Sequence, residues 1–140
     1  MIYHFSIHKE DNGFWAECVE LSGCTTQAES FDELIKACEE SLNLYLEEPK
    51  DSKKVFPLPN GALDNDPSFI KAIVEPEIAL AVLLRHYRSS SKFTQKQMAE
   101  MLGMKNLYSY QRLEKRSNPT LSIIKKIHNI FPEISLEKIV

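Results

Sequence analysis

The segment that decides the fold of the second half of the chain is Thr94–Glu114, TQKQMAEMLGMKNLYSYQRLE. Thr94 followed by Gln97 predicts a capping box at the start of a helix, because each side chain can satisfy a free backbone N–H. Gly103 predicts the end of that helix, since glycine adopts a positive φ without strain. A second helix is expected to start near Asn106. The pattern therefore predicts two helices joined by a tight turn.

The second of these helices is predicted to have one buried side, formed by Tyr110 and Leu113. Proteins that read the major groove of DNA use a helix of this kind, supported from behind by a partner helix. Polar and basic side chains occupy its other side, its flanks and the start of the preceding helix. The predicted DNA-binding residues are Gln95, Lys96, Lys105, Asn106, Tyr108, Gln111, Arg112 and Lys115.

These side chains suit different parts of a DNA duplex. Arg112 can reach guanine and Gln111 can reach adenine through the base edges. Asn106 and Tyr108 are expected to contact bases or phosphate. The remaining residues are expected to attract phosphate, through lysine charge or the positive end of a helix dipole. For each of them, an ordinary solvated surface role is the alternative.

The segment resembles the helix-turn-helix of phage-repressor-like regulators. The matching residues are Thr94-Gln95, Met98-Ala99, Leu102-Gly103, Leu113-Glu114 and Asn118-Pro119-Thr120-Leu121. One residue is extra relative to that family, in the turn around Met104 and Lys105. An ordinary helical hairpin is the alternative interpretation.

Charge divides the 140 residues into an acidic front and a basic back. Residues 1–50 carry a net charge of −8 and residues 76–140 a net charge of +6, within a total of −3. A basic surface suits phosphate, whereas an acidic one repels nucleic acid and attracts basic proteins. Acidic side chains that only keep the front half soluble are the alternative explanation.

The front half predicts the element order β-β-β-α-β. Ile2–His8 alternates between apolar and polar residues, as a strand with one apolar face does. Asn12-Gly13 suits a hairpin turn into a second strand, and a short third strand follows. Ser30 begins a helix that Pro49 ends. Lys54–Leu58 is the predicted fourth strand, and Phe69–Val74 is a further short candidate.

This order, with Gly13-Phe14-Trp15-Ala16 and Glu20-Leu21-Ser22-Gly23-Cys24, resembles the HicB antitoxin family. Serine stands where that family's element has its second proline. One branch of the family also carries a C-terminal helix-turn-helix after a linker. The resemblance implies an α+β chain in which a degenerate RNase H-like domain precedes an all-α, phage-repressor-like helix-turn-helix domain. The implied domains are 1–60, a linker at 61–75, and 76–140.

The resemblance further implies an antitoxin that covers the active site of a separate, basic HicA-type mRNA-degrading toxin. The basic half would repress the antitoxin's own operon by binding double-stranded operator DNA as a homodimer or higher homo-oligomer. The toxin-binding candidates on the acidic helix are Glu33, Glu40, Leu44 and Glu47. A helix-turn-helix transcription factor with a ligand-sensing front domain is one alternative, and an enzyme with a DNA-binding tail is another.

Enzymatic activity is not predicted. An RNase H-like site needs carboxylates that converge on divalent metal, the first of them on the opening strand, and Ile2–His8 has none. No residue set predicts a metal site or a cofactor, and His4 and His8 are expected to be exposed or to face a partner. No export signal or membrane span is recognised, so Cys18, Cys24 and Cys38 are expected to be reduced thiols in the cytoplasm.

Overall fold

The computed structural model describes residues 1–47, 54–116 and 118–140 of the chain. The described residues form two compact units, the first from residues 1–47 and 57–74 and the second from residues 54–56, 75–116 and 118–140. Within the described residues, no helix has both the length and the apolar character that crossing a membrane requires.

The first unit is a four-stranded antiparallel sheet in the order β3-β2-β1-β4. The strands are β1 (Ile2–Glu10), β2 (Gly13–Cys18), β3 (Thr25–Ala28) and β4 (Phe69–Ile73). Gly13 has a φ of 150°, and a Cβ at this position would lie 2.5 Å from the carbonyl oxygen of Ala28. Only glycine therefore fits the point where the β1–β2 turn passes the end of β3.

The fourth strand is Phe69–Ile73, and the prediction of a strand at Lys54–Leu58 was wrong. Pro57 has no N–H to donate to a strand ladder. Residues 69–73 instead alternate, with Ile70 and Ala72 buried, and pair with β1 so that His4 lies opposite Lys71. The strand lies inside the segment 61–75, which was predicted to be a linker. That prediction is therefore corrected for the residues of β4.

Helix α1 (Phe31–Glu47) packs on one face of the sheet. Ser30 Oγ accepts a hydrogen bond from the backbone N–H of Glu33 at 3.2 Å, as the predicted cap requires. The buried residues on α1 include Leu34, Cys38, Leu42 and Leu46. Phe31 and Ile35, although apolar, are exposed.

Among the described residues, the regular elements of the second unit are all helices. Its helices are α2 (Pro76–Ser90), α3 (Gln95–Met101), α4 (Leu107–Leu113), α5 (Leu121–Ile130) and α6 (Leu136–Ile139). The predicted α+β class, with β-β-β-α-β followed by helices, is therefore confirmed.

Apolar residues on α2 and near the C-terminus are candidates for self-association, and they separate into two groups. The buried group is Val82, Leu83, Ile134 and Ile139, which belong to the core of the second unit. Leu136 and Val140 are exposed. The four buried side chains are therefore not available to a partner in this conformation.

Candidate functional sites

Helix α3 is fixed at both ends by local hydrogen bonds. Thr94 Oγ1 accepts from the backbone N–H of Gln97 at 3.0 Å, and Gln97 Oε1 accepts from the N–H of Thr94 at 2.8 Å. Gly103, at φ 67°, donates its N–H to Glu100, and Met104 donates to the carbonyl of Ala99. This paired arrangement is a Schellman motif, which satisfies the last carbonyl groups of α3.

Helix α4 begins at a second cap. Asn106 Oδ1 accepts from the backbone N–H of Ser109 at 2.8 Å and from its hydroxyl at 3.0 Å. The side chain of Asn106, predicted to contact DNA, is therefore already engaged in starting the helix. Its position at the N-terminus of α4 is the predicted one.

A buried carboxylate anchors the end of α4. The Glu114 side chain is fully buried and accepts from Arg88 Nε of α2 at 2.7 Å and from Gln95 Nε2 of α3 at 2.9 Å. The carbonyl oxygen of Glu114 also accepts from the guanidinium of Arg85. One residue thus connects α2, α3 and the C-terminus of α4.

Two of the predicted DNA-binding residues contact each other. Gln111 Nε2 donates to Gln95 Oε1 at 3.2 Å, and Gln95 in turn donates to Glu114. Both glutamines are half-buried. Their amides are therefore oriented by the contact between α3 and α4, which the sequence did not reveal.

The outer side of α4 carries the other predicted contacts. Tyr108, Arg112 and Lys115 are all exposed, with Tyr108 at 67%. The spacing of four residues places Tyr108 and Arg112 about 40° apart on the helix, opposite Tyr110 and Leu113. Lys115 lies just beyond the C-terminal cap of α4. We call the exposed set Tyr108, Arg112 and Lys115 the α4 face. Lys96 and Lys105 are also exposed.

Lys126 was missed by the sequence analysis. Its Nζ lies 3.7 Å from the position that a Cβ of Gly103 would occupy, so α5 brings an ammonium group to the α3–α4 turn. The residue itself is exposed. Nothing in the local sequence signals this proximity, because it depends on how α5 packs.

In the first unit, the predicted protein-binding residues lie together on α1. Glu33, Glu40, Leu44 and Glu47 are all exposed, and Leu44 is exposed at 68%. Their spacing of seven, four and three residues keeps them within about 60° of arc, on the side opposite Leu42. We call these four residues the α1 stripe. Its exposed leucine lies between carboxylates.

A buried histidine cluster was also missed. His4 is fully buried, so the expectation that it is exposed or faces a partner was wrong. Its Nδ1 lies 2.7 Å from Glu20 Oε2, and its Nε2 lies 2.9 Å from Asp64 Oδ1. Glu20 also accepts from the backbone N–H groups of His4 at 3.0 Å and Asn60 at 2.9 Å. The cluster attaches residues 60–64 to β1.

Within the described parts of the chain, no group of three or more His, Cys, Asp or Glu side chains is arranged to hold a metal ion. The chemistry that the two faces offer is recognition by charge, hydrogen bonds and apolar contact.

Comparison with known proteins relates part of the chain to one family. No family model matches. A solved structure described as an antitoxin HicB3 crystal structure aligns with a TM-score of 0.39 and 23% identity, over 54% of this chain and 61% of that one. The chain thus spans less than two thirds of that structure, and this TM-score does not establish a shared fold. A UPF0150 protein of Archaeoglobus fulgidus is 41% identical over 51 residues, which are 36% of this chain and 74% of the relative. By that match, the chain belongs to the UPF0150 family.

Proposed function

We propose that the chain is the antitoxin of a toxin–antitoxin pair, in which the first unit binds a basic HicA-type toxin and the second represses the operon by binding its operator. The observation that carries the proposal is the opposite charge of the α1 stripe and the α4 face. Glu33, Glu40 and Glu47 stand on the first, and Arg112 and Lys115 on the second. One chain thus offers exposed surfaces for partners of opposite charge.

The α1 stripe suits a toxin that binds RNA. Such a toxin needs a basic surface to hold phosphate, and an acidic helix can compete for that surface. Leu44, exposed between the carboxylates, supplies the apolar contact that the centre of a protein interface usually has. In this proposal the antitoxin inhibits by occlusion and catalyses no reaction itself.

The α4 face suits the major groove. Arg112 can donate to guanine, while Lys115, Lys105 and Lys96 attract phosphate. Lys126, beside the turn, is a further phosphate contact in this proposal. The Gln95–Gln111 pair would orient an amide toward the base edges from a half-buried position.

A single short recognition helix seldom binds tightly enough alone, so we propose that two copies bind a palindromic operator. Of the apolar residues considered for that contact, Leu136 and Val140 are exposed. Leu136 lines an open apolar groove together with Leu121 and Ile124. We assign Leu136 and Val140 to the dimer contact.

The two activities are proposed to reside in separable modules. The 51 residues matched in the UPF0150 relative make up 74% of that protein, which is therefore about half as long as this chain. A protein of that length has no room for counterparts of both units. This supports a family module that exists without the rest of this chain.

Co-expression with the product of the neighbouring gene tests the proposal. A small basic protein that is toxic alone should co-purify with the intact chain and lose its toxicity. Glu40→Lys with Glu47→Lys should weaken the complex, whereas Glu10→Lys with Asp11→Lys, an equal charge change in the β1–β2 turn, should not. Failure of a toxic neighbour to bind the chain would overturn the antitoxin assignment.

A further inference from the structure

Cys18 and Cys24 occupy opposite positions at the end of the β2–β3 ladder. The last paired residues are Glu17 and Thr25, and the same register places Cys18 opposite Cys24. The backbone N–H of Cys18 donates to the carbonyl of Cys24 at 2.9 Å. Directly opposite residues of an antiparallel pair share one face of a sheet and have Cα atoms about 4.5–5.5 Å apart. That separation lies within the range of about 4.4–6.8 Å that disulfides span.

Both thiols point into the core beneath α1. Cys18 and Cys24 are buried, as is Cys38 on α1. Cys18 Sγ lies 3.7 Å from Glu20 Oε1, and Cys24 Sγ lies 3.9 Å from the carbonyl oxygen of Ser41. The three cysteines of the chain therefore belong to one cluster rather than to separate sites.

The two opposed thiols are not chemically equivalent. A hydrogen bond from the Cys18 thiol lowers the pKa of Cys24, and the same interaction raises the pKa of Cys18. Burial raises the pKa of Cys38 to about 12. Since the thiolate is the reactive form of cysteine, these directions favour Cys24 as the thiol that reacts first.

An exposed turn adjoins the buried Cys24. Ser22 and Gly23 are exposed, and nothing lies within 4 Å of the position that a Cβ of Gly23 would occupy. This turn is the side from which we expect a small oxidant to approach the Cys24 sulfur.

We propose that Cys18 and Cys24 are a reversible oxidation site that forms a disulfide on reaction with a hydroperoxide. The Cys24 thiolate attacks the peroxide oxygen and becomes a sulfenic acid, while hydroxide leaves. Cys18 then attacks the Cys24 sulfur while its thiol proton passes to the sulfenic hydroxyl, which leaves as water, and the S–S bond forms. Overall, two thiols and one H₂O₂ give one disulfide and two molecules of water, so the sulfurs lose two electrons and the peroxide gains them. A thiol reductant reverses the bond.

The bond would act on a turn that holds other elements. Glu20, between the two cysteines, binds His4 and Asn60, and the carbonyl oxygen of Ser22 accepts from Tyr45 Oη of α1 at 2.8 Å. Cys24 Sγ also lies 3.9 Å from the carbonyl oxygen of Ser41 on α1, so a bond formed at this sulfur should affect the helix. The oxidised and reduced chains should therefore differ in hydrogen exchange at residues 19–24 and 41–45.

Mass spectrometry of the intact, folded chain tests the site. After hydrogen peroxide and alkylation of remaining thiols, we expect one alkylated cysteine and the loss of two hydrogen atoms. Trypsin separates the pair from the third thiol, because Cys18 and Cys24 lie in fragment 10–36 and Cys38 lies in fragment 37–50. The lost hydrogens should be in fragment 10–36, and dithiothreitol should restore them.

Substitutions of single cysteines distinguish the roles of the three thiols. Cys38→Ser should keep the disulfide, whereas Cys18→Ser should leave Cys24 as a sulfenic acid that dimedone traps. The wild-type fragment map decides the question even if a variant fails to fold. A disulfide that joins fragment 10–36 to fragment 37–50, a pair that forms only in denaturant, or three unmodified thiols would each overturn the proposal.

Discussion

Glu114 Oε1 accepts a hydrogen bond from Arg88 Nε at 2.7 Å, with the carboxylate fully buried. Gln95 donates to the other carboxylate oxygen at 2.9 Å. The carboxylate therefore supports two helices behind the α4 face while contributing nothing to that face itself.

Replacing Glu114 with alanine should destabilise the second unit by about 3–5 kcal/mol, because Arg88 would lose its buried partner. Urea unfolding followed by helix circular dichroism measures the change. Glu137→Ala, at an exposed position on α6, should cost about 0.5 kcal/mol or less. Equal effects of the two substitutions would show that the pair does not anchor α4.

Glu20 should be the corresponding anchor of the first unit. Glu20→Ala removes the acceptor of two backbone N–H groups, at His4 and Asn60, and should cost about 1–3 kcal/mol. Hydrogen exchange at those two amides should accelerate. Glu17→Ala, an exposed partner of His8, is the control and should leave both amides protected. Unchanged exchange in Glu20→Ala would contradict the assignment.

Alkaline pH should destabilise the first unit through Cys38. Burial raises the pKa of this thiol from 9.0 to about 12, so above pH 9 the unfolded chain binds fewer protons than the folded one. The contribution of the Cys38 thiol to the free energy of unfolding is fully present below pH 9 and is lost as the pH rises toward 12. Cys38→Ala should reduce the slope of unfolding free energy against pH in this window. An unchanged slope would show that the thiol titrates alike in both states.

Lysines of the second unit should contribute phosphate attraction without specificity. Lys115→Ala should weaken binding to operator and unrelated DNA by similar factors and reduce the slope of log K against log salt by about 1. Fluorescence anisotropy at several salt concentrations measures both quantities. Lys138→Ala, on α6, should change neither. A loss confined to the operator would instead give Lys115 a role in reading bases.

Leu44 should be the apolar centre of the proposed toxin contact. Leu44→Ala should weaken the toxin complex by about tenfold or more, because a side chain exposed in the free chain becomes buried in the complex. Titration calorimetry of the purified partners measures the affinity. Val19→Ala, another exposed apolar residue of the first unit, is the control. An unchanged affinity for Leu44→Ala would place the toxin contact elsewhere.

Local sequence signals predicted the parts of the fold that depend on neighbours in the chain. Thr94 with Gln97, Gly103 and Asn106 lie at helix boundaries as expected, because caps are set within one turn. The alternation of Ile2–His8 likewise identified β1.

The features that local sequence signals did not predict depend on contacts between residues far apart in the chain. The choice of β4 over Lys54–Leu58 depends on pairing with β1, more than sixty residues away. His4 is buried because Glu20 and Asp64 close over it, which its strand pattern does not reveal. The candidate residues on α1 were predicted to share a face by helical spacing alone, whereas the Gln95–Gln111 contact required two helices to be placed together.

The central claim is that one chain performs two separable recognitions, and a crossed assay tests it most directly. Arg112→Ala and the pair Glu40→Lys with Glu47→Lys would each be measured for operator binding and for toxin neutralisation, with unfolding curves for both. We predict that Arg112→Ala loses operator binding and keeps neutralisation, while the charge reversal does the opposite. If both variants, still folded, lost the same activity and kept the other, the two-module account would be contradicted.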